Sequence, residues 1–162
     1  MRAFDVATVL ATSLAIAAPS ASPALADITG LAIVTDGDSI KIDGQRIRIH
    51  GIDAPEAKQL CRRQGEPWQC GKSATEALKS RIAARPVSCE ELDRDRYKRI
   101  VARCLVDGED LGEWMVLNGW AVAYVRYSYE YTRAEHFAKT DRRGIWVGEF
   151  EMPWAWRKAR RN

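Results

Sequence analysis

The segment Gln45 to Ile52 alternates cleanly as Arg46, Ile47, Arg48, Ile49, His50, with Asp43-Gly44 immediately before it. Alternation with period two marks a half-buried strand, and Asp-Gly is a strong two-residue signal for a type I′ hairpin. With Ser39 to Ile42 before that turn and Ile28 to Thr35 earlier still, the chain opens on three strands. Ser73 with Glu76 then forms a capping box ahead of Ala74, Ala77, Leu78 and Ile82 at helical spacing, and Pro86 closes that helix. Val87 to Leu92 and Arg99 to Val106 make a second strand pair, followed by an Asp107-Gly108 turn. Asp110 with Glu113 opens a short helix through Trp114 and Leu117 that Gly119 stops. Thr132 with Glu135 opens the last helix, with Phe137 and Ala138 inward and Gly144 as its stop. This order holds no strand–helix–strand alternation from which to build a parallel sheet. It is the order of an OB-fold, a mainly β (α+β) domain with a five-stranded antiparallel barrel and three helices. Neither a repeat nor a linker interrupts it, so residues 27–162 are expected to form a single domain.

Residues 1–26 stand apart. Arg2 is followed by the uncharged, Ala-rich run Val6 to Ala18, Pro19 to Pro23 break it, and Ala24-Leu25-Ala26 fits the small-x-small rule. The expectation is a signal peptide cleaved after Ala26, with the protein exported to the periplasm or secreted. Cys61, Cys70, Cys89 and Cys104 all follow it, an even count that an oxidising compartment can pair. Four cysteines allow three pairings. Cys61 and Cys70 bracket a short loop, and Cys89 and Cys104 lie symmetrically about the Arg94-to-Lys98 turn. The spacing therefore favours 61–70 and 89–104, each contributing about 2–4 kcal/mol through the unfolded state. With no CxxC and two His, the chain offers no zinc knuckle. No apolar run is long enough to span a membrane as a helix. The 46% hydrophobic content and six Trp exclude a disordered or coiled-coil chain, and a net charge of +3 permits nucleic-acid binding without demanding it.

The chemistry concentrates in two segments. In the first, Asp38, Asp53 and Glu56 lie at the ends of strands that the Asp43-Gly44 hairpin folds together. Asp38 and Asp53 brought close are comfortable as ions only with a cation between them, and oxygen donors without His or Cys suit Ca²⁺ or Mg²⁺. In the second, Asp95-Arg96-Tyr97-Lys98-Arg99, Arg99 joins Arg48 as a cation embedded in a strand. Two guanidiniums beside a cation and a free carboxylate are the parts phosphodiester hydrolysis needs. Charge grows on the phosphoryl oxygens in the transition state, and the Arg fork meets two of them at once.

Asp36-Gly37-Asp38-Ser39, Arg48, Asp53-Ala54-Pro55-Glu56 and Asp95-Arg96-Tyr97-Lys98-Arg99 together closely resemble the thermonuclease, or staphylococcal nuclease-like, family. The likeness continues through Asn118-Gly119-Trp120-Ala121, Ala123-Tyr124 and Gly144-Ile145-Trp146. It implies the same five-stranded OB-type barrel with three helices, and a Ca²⁺-dependent nuclease acting on DNA and RNA. The implied products are 3′-phosphorylated, released by cleaving the bond to the 5′ oxygen. By the same resemblance Asp38, Asp53 and the backbone carbonyl of Ala54 are the calcium ligands, and Glu56 is the general base. Arg48 and Arg99 are the phosphate clamps, and Tyr124 packs against the nucleotide with Tyr97 and Tyr127 as further candidates. Lys98 stands where the family commonly has Gly.

Trp114, Trp120 and Trp146 read as core, and His50 and His136 as surface or core residues outside the chemistry. Tyr124, Tyr127, Tyr129 and Tyr131 with Arg126 and Arg133 are either a basic aromatic surface for single strands or a packed segment edge. The tail Arg157, Lys158, Arg160, Arg161 reads as a solvated helix end that steers polyanions. The expected partner is nucleic acid, DNA and RNA with single strands preferred, met by a monomer without membrane contact. Two other functions fit parts of the pattern. One is a non-catalytic OB-fold nucleic-acid-binding module, which would be expected to lack one of Asp38, Arg48, Glu56 or Arg99. The other is a Mg²⁺-dependent restriction-type nuclease built on Asp38 and Glu56-Ala57-Lys58.

Overall fold

A computed structural model describes residues 27–161, so the expected signal peptide and its cleavage after Ala26 lie outside the described residues. Strands β1 (Asp27–Asp36), β2 (Ser39–Ile42) and β3 (Gln45–Ile49) form a meander whose second turn is Asp43-Gly44, both residues at positive φ (48° and 79°) as a type I′ turn requires. The short strand β4 (Ile52–Asp53) and the hairpin β5 (Cys61–Arg63) with β6 (Glu66–Trp68) lead into α1 (Cys70–Ile82). The chain then returns as β7 (Pro86–Arg94) and β8 (Ile100–Val106), with β9 (Glu109–Asp110) added at the edge. Helix α2 (Leu111–Leu117), strand β10 (Val122–Ala123), helix α3 (Thr132–Thr140), a 3₁₀ turn (Gly144–Val147) and α4 (Pro153–Ala159) follow.

The sheet runs β3-β2-β1-β7-β8-β9, and a further pairing of β3 with β8 closes five of these strands into a barrel. That closing pair is parallel, with Ile47, Arg48 and Ile49 facing Ile100, Val101 and Ala102, whereas an all-antiparallel barrel was expected. The reason is parity: a ring of five strands cannot reverse direction at every step, so one neighbouring pair must run the same way. Inside the barrel pack Ile40, Ile42, Ile47, Ile49, Val87, Ile100, Ala102 and Val106, with Leu78 of α1 and Leu111 and Met115 of α2 among the same buried cluster. In β8 every second residue from Ile100 to Val106 is buried, the period-two pattern visible in the sequence.

Cys61 is bonded to Cys70 and Cys89 to Cys104, the pairing that the spacing favoured. Cys89 and Cys104 face each other across β7 and β8. Trp114 and Trp120 pack against the main core, and Trp146 against a second cluster around the Cys61–Cys70 bridge.

Several local expectations are corrected. Helix α1 begins at Cys70, without a side-chain cap, rather than behind a Ser73–Glu76 box. Ser73 Oγ instead donates to the Gln69 carbonyl at 3.0 Å, and Glu76 pairs with Lys79. The disulfide and the close packing of Gly71 described below draw that extra turn into the helix. At α2, by contrast, Asp110 caps as expected, accepting from the N–H groups of Gly112 (2.7 Å) and Glu113 (3.1 Å). At α3, Thr132 donates to the Tyr129 carbonyl and the Glu135 carboxylate accepts from the Ala123 N–H, so no capping box forms. Only Ala134 and Ala138, one turn apart, are buried along α3, and Phe137 is 43% exposed under the Arg133 guanidinium. A fourth α-helix, α4, adds to the three expected and carries the basic residues that were read as a solvated helix end.

Candidate active site

Strand alternation decides which way the key cations point. Ile47 and Ile49 are buried, so Arg48 between them faces away from the core; Arg99 immediately precedes the buried Ile100. Arg48 lies opposite Ser39 on β2 and beside Val101 on β8, so Asp38, Arg48 and Arg99 gather at one end of the barrel. Strand β4 brings Asp53 to the same end, and its pairing with β10 carries Tyr124 alongside, where the Tyr124 N–H donates to the Gly51 carbonyl at 2.8 Å. Asp38, Arg48, Glu56, Arg99 and Tyr124 line a cleft of about 1030 Å³, to which Tyr97, Tyr127, Trp154, Arg157, Lys158 and Arg161 also contribute, with Asp53 buried beneath it.

On the floor of the cleft, Arg48 spans two carboxylates with its fork: Nη1 lies 2.8 Å from Asp38 Oδ2 and Nη2 lies 2.8 Å from Asp53 Oδ1. Asp38 also accepts from the Ser39 hydroxyl at 2.9 Å and the Ala54 N–H at 3.3 Å. The Arg99 guanidinium is anchored through Nε to Asp95 Oδ2 at 2.7 Å, and its Nη1 reaches 3.5 Å from Ser39 Oγ. Tyr97, 52% exposed, lies under that guanidinium, which is 5.8 Å from the ring centroid. Tyr124 stacks on Trp154 with centroids 5.4 Å apart and meets Tyr127 edge-on at 5.0 Å. Tyr131, in contrast, is buried in the core with its hydroxyl donating to Asp110, and Tyr129 is 76% exposed outside the cleft lining.

Glu56 is placed by backbone packing. It follows Ala54 and Pro55, both buried, and its carbonyl accepts from the Gln59 N–H at 2.7 Å. Gly71 at the start of α1 lies so close that a Cβ there would stand 1.7 Å from the Glu56 carbonyl oxygen, so only glycine fits. Gln59, fully buried, completes the seat. Its Oε1 accepts from the Glu56 N–H at 3.3 Å and its Nε2 donates to the Glu151 carbonyl at 2.6 Å.

Sequence reasoning missed one residue here. Arg157, assigned to a solvated helix end, reaches into the floor. Its Nη1 donates to Asp53 Oδ1 at 3.0 Å and to Glu56 Oε1 at 2.7 Å, and its Nη2 to Asp53 Oδ2 at 2.8 Å. The one local signal was Pro153 ahead of Trp154, a proline at a helix N-terminus that announces an ordered α4. Lys58 is exposed and outside the cleft lining, which removes the cation that a restriction-type site would need.

The electrostatics follow from burial. Asp36 is pushed up to about 6, first by burial and then by the Asp38 and Glu56 charges, against the Gly37 N–H and Thr75 hydroxyl. Burial likewise raises the Asp53 carboxyl, and the Asp38 charge adds to this, while Arg157 and Arg48 pull the other way. Burial works against the Arg48 cation, but Asp38 and Asp53 outweigh it and raise its affinity for the proton. The same holds for Arg157 between Asp53 and Glu56. Among the described residues no three His, Cys, Asp or Glu side chains converge as a ready metal cage.

Asp95 holds the second clamp. Burial pushes its carboxyl up, but the backbone N–H of Arg99, the Arg99 guanidinium and the Tyr97 N–H outweigh that and keep it below the ordinary carboxylate value. A depressed folded-state value means stability present above the unfolded value and lost as pH falls through the folded one. Asp95→Asn is therefore expected to destabilise by about 1 kcal/mol at pH 7. In thermal melts against pH, that difference from the parent should vanish well below the ordinary carboxylate value of about 3.9. A deficit that persists unchanged in acid would contradict this assignment. The turn that carries Arg99 has Lys98 at φ 60°, a left-handed position that glycine adopts without the strain a side chain brings.

Residues 46–148 match the family described as Staphylococcal nuclease homologue. The chain is 39% identical over 139 residues to the succinoglycan biosynthesis protein ExoI of Rhizobium meliloti (strain 1021), covering 83% of this chain and 73% of that protein. It is 33% identical over 141 residues to an uncharacterized endonuclease of Escherichia coli, covering 82% of this chain and 86% of that one. A probable staphylococcal-like nuclease of Oryza sativa subsp. japonica is 33% identical over 129 residues, which cover 78% of this chain but 36% of the rice protein. The match to the family reaches from β3 to the 3₁₀ turn, so it contains Arg48, Asp53, Glu56 and Arg99 but neither Asp38 nor Arg157. The closed barrel and the residues gathered at its end accord with that match, and the chain belongs to the family of staphylococcal nuclease homologues.

Proposed function

We propose that this protein is an exported, Ca²⁺-dependent nuclease that hydrolyses DNA and RNA to 3′-phosphorylated products. The observation that carries this reading is the convergence of Arg48, Arg99, Asp38 and Glu56 on one open cleft, with Asp53 buried beneath it and bonded to Arg48. The two disulfides support an oxidising compartment, and with it export after cleavage near Ala26.

The donor set fits a hard cation. Asp38 and Asp53 are both buried, and their carboxylate oxygens are preferred ligands of Ca²⁺. Asp38, Asp53 and the Ala54 carbonyl would hold the ion, with water and substrate oxygens completing its coordination. When bound, it supplies Lewis-acid stabilisation of charge on the phosphoryl oxygens. Arg48 and Arg99 bind two of those oxygens and balance the charge added in the transition state. Glu56 takes a proton from the attacking water, whose oxygen bonds to phosphorus. The bond to the 5′ oxygen breaks, its electron pair leaves on that oxygen, and a proton from solvent completes the 5′ hydroxyl. Tyr124, Tyr97 and Tyr127 line the same cleft and offer faces for unpaired bases, which supports a preference for single strands.

The test is digestion of plasmid DNA and of RNA by the purified chain with Ca²⁺, with Mg²⁺ and with a Ca²⁺ chelator, followed by end-group analysis. Cleavage in Ca²⁺, its loss in chelator and 3′-phosphate ends are expected, with at least a tenfold drop for Asp38→Ala. Undiminished cleavage in chelator would overturn the metal assignment, and 5′-phosphate ends would overturn the assigned bond.

A further inference from the structure

We propose that Arg157 is an internal counter-ion that holds the Asp53 and Glu56 carboxylates in place and must be displaced from them by the incoming divalent cation. This rests on the reading of Asp53 as a cation ligand.

Both oxygens of Asp53 are already engaged. Oδ1 accepts from Arg48 at 2.8 Å and from Arg157 at 3.0 Å, and Oδ2 accepts from Arg157 at 2.8 Å. The Asp53 side chain is fully buried, so these guanidiniums rather than water satisfy it. A divalent cation approaching those oxygens meets the Arg157 guanidinium in the same place, with like charges at contact distance. Arg48 is carried by barrel strand β3 and pairs with Asp38 as well as Asp53, so of the two guanidiniums on Asp53 it is Arg157 that can leave without disturbing the barrel. Arg157 rides on a seven-residue helix outside the barrel.

Its placement is built into the fold. The buried Gln59 amide ties the Glu56 N–H to the Glu151 carbonyl, two residues before α4, so the helix and the Glu56 segment share one anchor. The paired geometry on Asp53 is that of a guanidinium–carboxylate fork, which a surface side chain would not adopt by chance.

The arrangement couples two events. While Arg157 holds Glu56 Oε1 at 2.7 Å, the guanidinium takes one of that oxygen's acceptor positions and fixes the direction of the carboxylate. Cation binding that expels the guanidinium frees Oε1 at the moment the site becomes able to work. The released cation then joins Lys158 and Arg161, which line the same cleft, facing the substrate phosphates.

The experiment is calorimetric titration of Ca²⁺ into the parent protein, R157Q and R157K, without nucleic acid. R157Q is expected to bind Ca²⁺ at least tenfold tighter than the parent, with R157K between them because an ammonium still competes. R157Q is also expected to melt lower in chelator and to gain more from saturating Ca²⁺. In the parent, the Arg157 Nε–H exchange rate measured by NMR is expected to rise as Ca²⁺ is added, a readout that needs no variant to fold. Equal or weaker Ca²⁺ binding by R157Q, or an Arg157 signal indifferent to Ca²⁺, overturns the inference while leaving Asp53 a ligand. Absence of Ca²⁺ binding by both proteins at millimolar concentration overturns the inference and the ligand assignment together.

Discussion

Glu56→Gln is expected to cut the cleavage rate at saturating substrate by about 10²–10⁴-fold, the span a general base contributes. Glutamine keeps the shape of the side chain and its hydrogen-bonding oxygen but cannot accept the proton of water at neutral pH. The backbone contacts that seat the segment are unchanged, since the Glu56 carbonyl still meets Gly71 and the Glu56 N–H still finds Gln59, and the glutamine oxygen can still accept from Arg157. Asp38, Asp53 and both clamps remain, so binding of a short oligonucleotide in Ca²⁺ is expected to hold within about twofold. Single-turnover cleavage of a labelled oligonucleotide beside its binding constant separates the two. A full cleavage rate in the variant would remove Glu56 from the chemistry. A parallel loss of binding would mark it as a ligand instead.

The arginines are expected to cost nearly as much. Arg48→Lys and Arg99→Lys should each lower the saturated cleavage rate by about 10²-fold or more, because a point ammonium cannot meet two oxygens as the guanidinium fork does. Their stabilities are expected to part. Among the described residues Arg48 alone bridges Asp38 to Asp53, 2.8 Å from each, so lysine leaves one of those buried carboxylates short of a partner. The cost is about 1–3 kcal/mol in the melting profile. Arg99 is bonded to the partly exposed Asp95 by Nε, with the rest of its fork turned to the cleft, so its replacement is expected to leave the melting temperature nearly unchanged. If the lysine variants lose affinity alone and cleave at the parent rate when saturated, both arginines merely hold substrate and the catalytic reading of the pair fails.

Arg48 and Arg157 illustrate how unevenly the site was legible. Arg48 announces itself: it is the polar member between Ile47 and Ile49, at a position where strand geometry must turn it away from the core. Asp53 and Glu56 follow within a few residues, and the Asp43-Gly44 turn folds Asp38 back beside them. Arg157 contacts Asp53 from 104 residues away and sits in a basic run whose composition matches any solvated helix end. What brings it in is α4 and its tie through Gln59, an arrangement of three distant segments.

The same boundary runs through the fold. Features written into a few consecutive residues were determined by sequence alone: the Asp-Gly turns, the alternation of β3 and β8, the Asp110 cap and the two cysteine pairs. Each reflects a backbone preference or loop length that acts before the chain is compact. The tertiary structure alone decided the parallel closure of β3 on β8, the start of α1 at Cys70, the outward turn of Phe137 and the placement of Arg157. These are contacts between segments far apart in the chain, where packing and buried charge outweigh local propensity and leave no mark on the residues nearby.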